Sequence, residues 1–211
     1  MRIACSLGSL LSVEQVIECT KMISETNIDS IWIPETWGME NFSMLGAVSS
    51  ETKTQKIGSS IINIYSRSPS TISMGAVTTD ILSNGRLILG LGTSSVPIVE
   101  DFHGEKFETP VQRMREYVEI IRLSLSKKQI NYSGKIFNLK NFTLLIEPKR
   151  QSIPIYLAAI NQKMVNLTWE LGDGVIFYLR PIDEMKKTIS KMQSQKNIDV
   201  ACQIITCISN D

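Results

Sequence analysis

The stretch GRLILGLGTSS, residues 85–95, joins the pattern of a buried strand to a glycine motif. Its apolar run ends in Gly90, Leu91 and Gly92, and three small polar residues follow directly. A dinucleotide-binding fingerprint would need a third glycine where Ser95 stands and a helix immediately after the strand. Neither is present, so the stretch predicts a barrel strand. Its glycines either relieve crowding in the strand or leave room for a flat ring close to the backbone.

Outward from this stretch, strand-like and helix-like segments alternate along the whole chain. The six other apolar runs lie at 2–7, 30–34, 56–62, 153–159, 174–179 and 199–208. Continuous apolar strands separated by helices are typical of a parallel sheet covered on both faces. The sequence therefore predicts an α/β fold, a TIM-type barrel, as one domain over residues 1–211. A complete barrel has eight strands in about 250 residues, so we expect this one to be truncated after its seventh strand, without the C-terminal βα unit.

The helices between the strands carry recognisable start signals. These are a capping box at Ser12 and Gln15, a Ser68–Pro69 start, and a Thr109–Pro110 start. Serine and threonine cap helices through their side-chain oxygen, and proline is tolerated at the first helical position. Further helices are expected at 43–50, after the fifth strand through about residue 171, and at 183–193.

One segment departs from the alternation of strands and helices. Residues 129–145 alternate apolar and polar side chains around Ser133 and Gly134. This pattern is typical of a β-hairpin. We expect an insertion hairpin here, after the fourth βα unit.

Composition excludes several function classes. The chain has 22 Lys and Arg against 21 Asp and Glu, so it lacks the basic excess of a nucleic-acid-binding protein. No apolar run reaches the roughly 18 residues that suggest a membrane span. We expect a cytoplasmic protein that contacts neither nucleic acid nor membrane.

The cysteines and the single histidine do not suggest a metal site. Cys5, Cys19, Cys202 and Cys207 form no CxxC pair, and His103 is the only histidine. Cys202 and Cys207, five residues apart, would face opposite sides of a strand. We expect buried free thiols and no metal, with His103 making a loop hydrogen bond.

Polar and small residues follow several of the predicted strands. Asn63, Tyr65 and Arg67 follow the third strand, and two alanines with an amide side chain end the fifth, where a helix begins. Catalytic parts of barrels lie at the carboxyl ends of the strands, and helix N-termini attract phosphate. These ends therefore indicate a site for a flat, phosphorylated cofactor.

The order of several motifs resembles the bacterial-luciferase-like superfamily. They are IWIPETW, IGSSIINIYSRSP, LSNGRLILGLGTSS, FHGEKFETPVQRMREYVEIIR, IPIYLAAINQKM and LGDGVIFY. The resemblance covers nearly the whole chain. It is strongest to the branch that uses the deazaflavin coenzyme F420, which includes the methylenetetrahydromethanopterin reductases.

The resemblance implies a set of cofactor-binding positions. Ser60–Ile61 would be a non-proline cis peptide in a bulge behind the ring, with Asn63 beside it. Gly92 and Thr93 would run along the ring. Further cofactor contacts are implied at Ala159, Ile160 and Asn161, which would hold a phosphate, and at Phe177, which would line the adjoining pocket.

Two positions depart from the pattern of relatives that oxidise alcohols and sugar phosphates. Those relatives carry a histidine where Thr36 stands and an acidic residue where Ser95 stands. The general acid–base roles of these groups are therefore missing, and no catalytic residue is assigned. Hydride transfer to a positively polarised carbon depends mainly on positioning.

The resemblance implies an oxidoreductase that moves a hydride between coenzyme F420 and a small organic substrate. Two alternatives remain open at this point: an FMN-dependent luciferase-like monooxygenase that uses O2, and a degenerate, non-catalytic flavin-binding protein. Because a truncated barrel leaves exposed strand edges, we also expect a homo-oligomer.

Overall fold

The computed structural model describes residues 2–8, 10–126 and 129–206. Its main sheet contains eight strands, all pairing in parallel. They are β1 (Ala4–Ser6), β2 (Ser30–Ile33), β3 (Lys56–Ser59), its short extension β4 (Ile62–Asn63), β5 (Leu87–Gly92), β8 (Ile155–Ala158), β9 (Gly174–Tyr178) and β10 (Asp199–Gln203). The predicted seven-stranded, TIM-like α/β barrel is confirmed, with β3 and β4 as one broken barrel strand.

Helices follow six of the seven barrel strands. They are α1 (Val13–Ser24), α2 (Asn41–Glu51), α3 (Pro69–Leu82), α4 (Pro110–Ser124), α5 (Gln162–Leu171) and α6 (Ile182–Gln193). A single π-helical turn over Ile98–Phe102 lies between β5 and α4. The central strands are buried along their whole length, as β2 and β5 show. This burial explains their continuous apolar sequence.

Four helix starts in the described residues have side-chain caps; at α2, the Glu40 carboxylate accepts from the backbone of Phe42 and Ser43. Ser12 accepts from the backbone of Gln15, whose side chain accepts from Ser12 in return, so the predicted capping box is confirmed. Ser68 accepts from the Thr71 backbone at 3.2 Å and begins α3. Asn161 accepts from the Met164 backbone at 2.9 Å and begins α5.

The predicted Thr109 cap is wrong. The backbone of Thr109 is left-handed, with φ of 47°, and its side chain makes no capping hydrogen bond. A capping side chain reaches the first free N–H groups from an extended backbone, which Thr109 does not have. Helix α4 still begins at Pro110, because proline needs no partner for its nitrogen.

A small apolar cluster in the barrel interior is separate from the main core and lines a cavity of about 480 Å³. Trp32, Ile88, Tyr156 and Ile176 form this inner cluster, and the larger core lies between the sheet and the helices. The rings of Trp32 and Tyr156 lie 5.7 Å apart, centroid to centroid. A side chain at Gly174 would meet the Tyr156 ring at 2.6 Å, so the glycine makes room for that ring.

The barrel is open between its first and last strands. Within the described residues, β1 pairs only with β2 and β10 pairs only with β9, which leaves an open slot between β1 and β10. Side chains bridge the gap at both ends: Gln203 donates to Ser6 at 2.9 Å, and Arg2 pairs with Asp199. The last strand was predicted to continue to 208, but it ends at Gln203; residues 204–206 follow it outside any strand.

A two-stranded antiparallel sheet lies within the stretch predicted as a hairpin. It consists of β6 (Ile130–Ser133) and β7 (Asn138–Phe142). The Glu116 carboxylate of α4 accepts backbone N–H groups of Lys135, Ile136 and Phe137. The hairpin turn is therefore fixed to α4 by one buried charge.

The cysteines only partly follow the expectation of buried thiols. Cys5, Cys19 and Cys202 are free, but Cys202 is exposed, and Cys5 and Cys19 are only half-buried. Cys202 lies on β10 beside the open slot, which explains its exposure. Cys207 lies outside the described residues. No helix in the described part of the chain is long and apolar enough to cross a membrane.

Candidate functional site

The parallel strands bring the predicted site residues to one end of the barrel. Because all seven barrel strands run in the same direction, their carboxyl ends form a single rim. Residues from five strand ends meet there: Thr36 after β2, Ser60, Ile61 and Asn63 around β4, Gly92, Thr93 and Ser95 at the end of β5, Ala159, Ile160 and Asn161 after β8, and Phe177 within β9.

A bulge interrupts the barrel between β3 and β4. Residue Gly58 is paired with Ile88, and pairing resumes at Ile62 with Leu91. Three residues therefore lie opposite two, which defines a one-residue β-bulge. The peptide bond between Ser60 and Ile61 in this bulge is cis, as the resemblance implies.

The glycines of the opening stretch are explained by the bulge that packs against them. The Ser59 hydroxyl accepts from the Gly90 N–H at 2.8 Å and donates to the Gly90 carbonyl at 2.9 Å. A Cβ at Gly90 would collide with the Ser59 main chain, and a Cβ at Gly92 would lie 2.6 Å from Ile61 Cγ1.

This packing gives Gly92 a structural role of its own, and its expected contact with a flat ring stays a prediction. The side chain of Ile61 covers Gly92, so the glycine makes room for the bulge itself. Relief of crowding, one of the two interpretations of the glycines, fits this geometry, and room for a flat ring stays a prediction. Ile61 is only half-buried, so part of its side chain is accessible at the rim.

Two polar groups beside Ile61 lack hydrogen-bond partners. The Ser60 hydroxyl and the Asn63 side-chain N–H₂ group are both buried and unpaired within the described residues. The other side-chain atom of Asn63, Oδ1, accepts from the Tyr65 backbone at 3.0 Å. Buried polar groups are nearly always hydrogen-bonded. These two therefore fit a ligand that presents hydrogen-bonding atoms at its edge.

The end of β8 leads directly into the N-terminus of α5. The Asn161 side chain is engaged as the helix cap, and Ile160 is 79% exposed. The Ala159 N–H donates to the Ile176 carbonyl of β9 at 3.3 Å. This geometry leaves an ordered helix start at the rim, where the helix dipole favours an anion.

Phe177 and Arg180 lie at the end of β9, next to α5. The Phe177 side chain is only 1% exposed and packs in the main core beneath the carboxyl end of β9. The Arg180 guanidinium lies 5.4 Å from the Phe177 ring centroid, and its Nη1 has no partner among the described residues. Sequence reasoning missed Arg180, although an arginine two residues after a barrel strand was a usable signal.

A buried ion-pair network supports the bulge from the side of β2. Glu35 binds the Arg67 guanidinium through two contacts, of 2.6 and 2.8 Å, and Arg67 also pairs with Glu40. The hydrogen bond to Glu35 raises the pKa of Arg67. Burial would raise the pKa of Glu40, but hydrogen bonds from Ser43 and the Arg67 charge lower it overall. Arg67 was noted from the sequence, whereas Glu35 was missed.

The rim offers no histidine or carboxylate at the two positions where relatives carry them. Thr36 is half-buried and Ser95 is exposed, and each carries a hydroxyl in place of an imidazole or a carboxylate. His103 lies further out, in the loop after the π-helical turn, with its ring 4.9 Å from Phe102. Its Nε2 is buried without a partner in the described structure, so the expected hydrogen bond through this atom is not seen.

Fold and rim together define a class: a parallel α/β barrel with a β-bulge and a non-proline cis peptide at the carboxyl end of its strands. Residues 2–211 match the family of luciferase-like monooxygenases. The chain belongs to this family.

Proteins with similar sequences include one named as dependent on coenzyme F420. The chain is 37% identical over 157 residues to the 5,10-methylenetetrahydromethanopterin reductase of Archaeoglobus fulgidus, covering 74% of this chain and 46% of that protein. It is 33% identical over 175 residues to a putative coenzyme F420-dependent oxidoreductase of Mycobacterium tuberculosis, covering 76% and 50%. The chain thus spans about half the length of these two relatives.

The fold is also similar to solved structures of such enzymes. The coenzyme F420-dependent tetrahydromethanopterin reductase from Methanopyrus kandleri superposes with a TM-score of 0.86 at 21% identity, covering 95% of this chain and 65% of that one. An F420-dependent secondary alcohol dehydrogenase superposes with a TM-score of 0.85 at 17% identity, covering 96% and 68%. At these identities the similarity shows the shared barrel fold.

Proposed function

We propose that this chain is the barrel part of an oxidoreductase that moves a hydride between coenzyme F420 and a small organic substrate. The observation that carries the proposal is the bulge at the carboxyl rim, with two unpaired polar groups on either side of Ile61. The sequence relatives that name coenzyme F420 support the choice of cofactor. We further propose that residues 1–211 form one barrel domain, with 129–145 as its insertion, in a cytoplasmic enzyme.

The rim residues would hold the cofactor in two parts. Ser60, Ile61 and Asn63 would contact the ring from behind. Thr93, which follows Gly92 at the end of β5, would lie along the edge of the ring. The phosphate group would bind at Ala159, Ile160 and Asn161, where α5 begins. Phe177 would support this second part through the core. When bound, the deazaflavin supplies the carbon that gives or takes the hydride.

The chain's own contribution to the reaction is positioning and exclusion of water. Thr36 and Ser95 do not supply the general acid or base that a histidine or carboxylate would, and the Glu35 carboxylate is occupied by Arg67. Such a rim suits a substrate whose accepting carbon already carries positive polarisation, since no protonation of an oxygen is then required. A carbon bonded to a cationic nitrogen has this property.

A titration of the purified protein tests the proposed cofactor. The protein is titrated separately with coenzyme F420 and FMN, and binding is followed through the absorbance and fluorescence of each chromophore. We expect saturable binding of coenzyme F420 and weaker binding of FMN. Preference for FMN would replace the proposal with the monooxygenase alternative, and binding of neither would indicate a non-catalytic barrel.

A further inference from the structure

Glu35 is a buried carboxylate that contacts three different segments at the rim. Its side chain is only 8% exposed, and its Oε1 and Oε2 atoms bind the two terminal nitrogens of Arg67. Oε1 also accepts the backbone N–H of Asn41 at 3.1 Å, and Oε2 accepts that of Asn63 at 3.4 Å. From the loop after β2, one side chain thus holds the start of α2, strand β4 and the segment before α3 that carries Arg67.

The contact with Asn63 links this carboxylate to the candidate cofactor site. Asn63 belongs to β4, immediately after the bulge, and carries one of the two unpaired polar groups. Its backbone carbonyl accepts a hydrogen bond from the Ser66 hydroxyl at 2.8 Å, so both its N–H and its carbonyl are hydrogen-bonded. A shift of the Asn63 backbone would turn its amide group away from any ligand at the rim.

Arg67 completes the arrangement by keeping Glu35 in place. Its guanidinium also pairs with Glu40 and lies 5.7 Å from the centroid of the Phe42 ring. The Tyr117 hydroxyl donates to the Arg67 carbonyl at 2.5 Å. Because Arg67 is fixed from several directions, the Glu35 carboxylate has one strongly preferred orientation.

We propose that Glu35 is a positioning residue, which fixes the β4 backbone at Asn63 and thereby aims the unpaired groups of the bulge at the cofactor. This inference rests on the proposed function for the identity of the cofactor. Its structural part, the anchoring of β4, can be tested without any cofactor. Glu35 is given no proton-transfer role, since its oxygens are occupied by four donors.

The exterior of the barrel offers a matched control. Arg115 and Glu170 form the same two-contact pair, at 2.6 and 2.7 Å, between α4 and α5. This pair is more exposed and makes no contact with the bulge. A purely structural role for Glu35 predicts that both pairs affect only the overall stability of the fold.

The first experiment measures backbone hydrogen exchange in the cofactor-free protein. Glu35→Gln keeps the size of the side chain and removes its charge, and Glu170→Gln does the same at the control pair. We expect Glu35→Gln to accelerate exchange about tenfold or more at residues 62–64, as for a buried charge-assisted bond worth at least 1.4 kcal/mol. Glu170→Gln should leave these amides unchanged. Equal exchange in wild type and Glu35→Gln would overturn the inference.

The second experiment measures the affinity for coenzyme F420 under conditions where each variant is folded by circular dichroism. We expect Glu35→Gln to bind about tenfold more weakly, as is typical when a residue that orients binding groups is replaced. Glu35→Asp, which keeps the charge, should recover part of the loss, and Glu170→Gln should bind like wild type. If Glu35→Gln does not fold, hydrogen exchange and coenzyme affinity are both measured with Glu35→Asp.

The outcomes separate the two proposals. Absence of coenzyme F420 binding by wild type contradicts the proposed function, while the exchange result still decides whether Glu35 anchors β4. Wild-type binding together with unchanged affinity in Glu35→Gln contradicts the positioning role alone.

Discussion

The main chain of Ser59 occupies the space that a side chain at Gly90 would need, and the Ser59 hydroxyl bonds both the N–H and the carbonyl of that glycine. The two residues lie on neighbouring barrel strands where the bulge begins. This contact replaces the regular ladder between the strands and lets the bulge project at the carboxyl rim. The glycine of the opening stretch is therefore a requirement of the bulge.

Substitution of Gly90 tests this relationship. Gly90→Ala is expected to destabilise the fold by at least about 1–3 kcal/mol, because its Cβ meets backbone that cannot rotate away. Gly46→Ala in α2 is the control: its Cβ would meet only Leu82 at 3.8 Å, and alanine should stabilise the helix by up to about 1 kcal/mol. Urea unfolding of both variants measures the difference. A neutral Gly90→Ala would show that the bulge does not require the glycine.

Gly92 is expected to be coupled energetically to Ile61. Gly92→Ala should cost about 1–3 kcal/mol of unfolding free energy, since its Cβ would lie 2.6 Å from Ile61 Cγ1 and Ile61 must move aside. In an Ile61→Ala background the same substitution should cost less, giving a non-additive double-mutant cycle of at least about 0.5 kcal/mol. Additive unfolding energies would mean that Ile61 is not the group that excludes a side chain at 92.

The cap of α5 should affect both stability and cofactor binding. Asn161→Ala and Ser68→Ala each remove one N-cap, and each should cost about 1 kcal/mol of unfolding free energy. Only Asn161→Ala should weaken binding of coenzyme F420, since only α5 begins at the proposed phosphate position. The phosphate-free chromophore serves as a further control and should bind both variants alike. Equal affinity of the two variants for coenzyme F420 would contradict the proposal that the phosphate binds at the start of α5.

Glu116 should make the fold sensitive to acid. Burial would raise its pKa, but hydrogen bonds from Gln112 and from the backbone of Phe137, Ile136 and Lys135 lower it overall. A lowered folded-state pKa gives stability that is present above the unfolded value of 4.5 and is lost as pH falls through the folded value. Glu116→Gln should cost about 2 kcal/mol at neutral pH, and less in acid. If the difference in unfolding free energy between wild type and Glu116→Gln stayed constant across this pH range, the proposed role of the Glu116 charge would be contradicted.

The open slot should promote self-association. In the described structure β1 and β10 each have one unpaired edge, and exposed edges pair with other chains. We expect sedimentation to show a homo-oligomer whose population rises with protein concentration. A monodisperse monomer across the concentration range would show that the side-chain bridges Gln203–Ser6 and Arg2–Asp199 protect the edges sufficiently.

Sequence patterns predict the barrel well because its signals are local. Apolar strands, the Ser12 capping box and the start of α5 each depend on residues within a few positions. The family resemblance adds the Ser60–Ile61 cis peptide, which local rules would not suggest. The extent of the last strand and the Thr109 cap were overestimated, since both depend on neighbours and backbone angles that composition does not specify.

The parts that escaped sequence reasoning depend on contacts between distant segments. Glu35 meets Asn63 and Arg67 across about thirty positions of sequence, a separation that follows from barrel pairing alone. Likewise, Ile61 covers Gly92 only because the bulge shifts β4 against β5. Neither contact leaves a periodic signal along the chain.

Hydrogen exchange with and without saturating coenzyme F420 tests whether the carboxyl rim holds the coenzyme against the bulge. We expect protection to be concentrated in residues 60–64, 92–95 and 159–164, with little change at Arg2 and Asp199 at the opposite end. Protection centred on the open slot or the amino end, or binding without protection at the bulge, would contradict this binding mode.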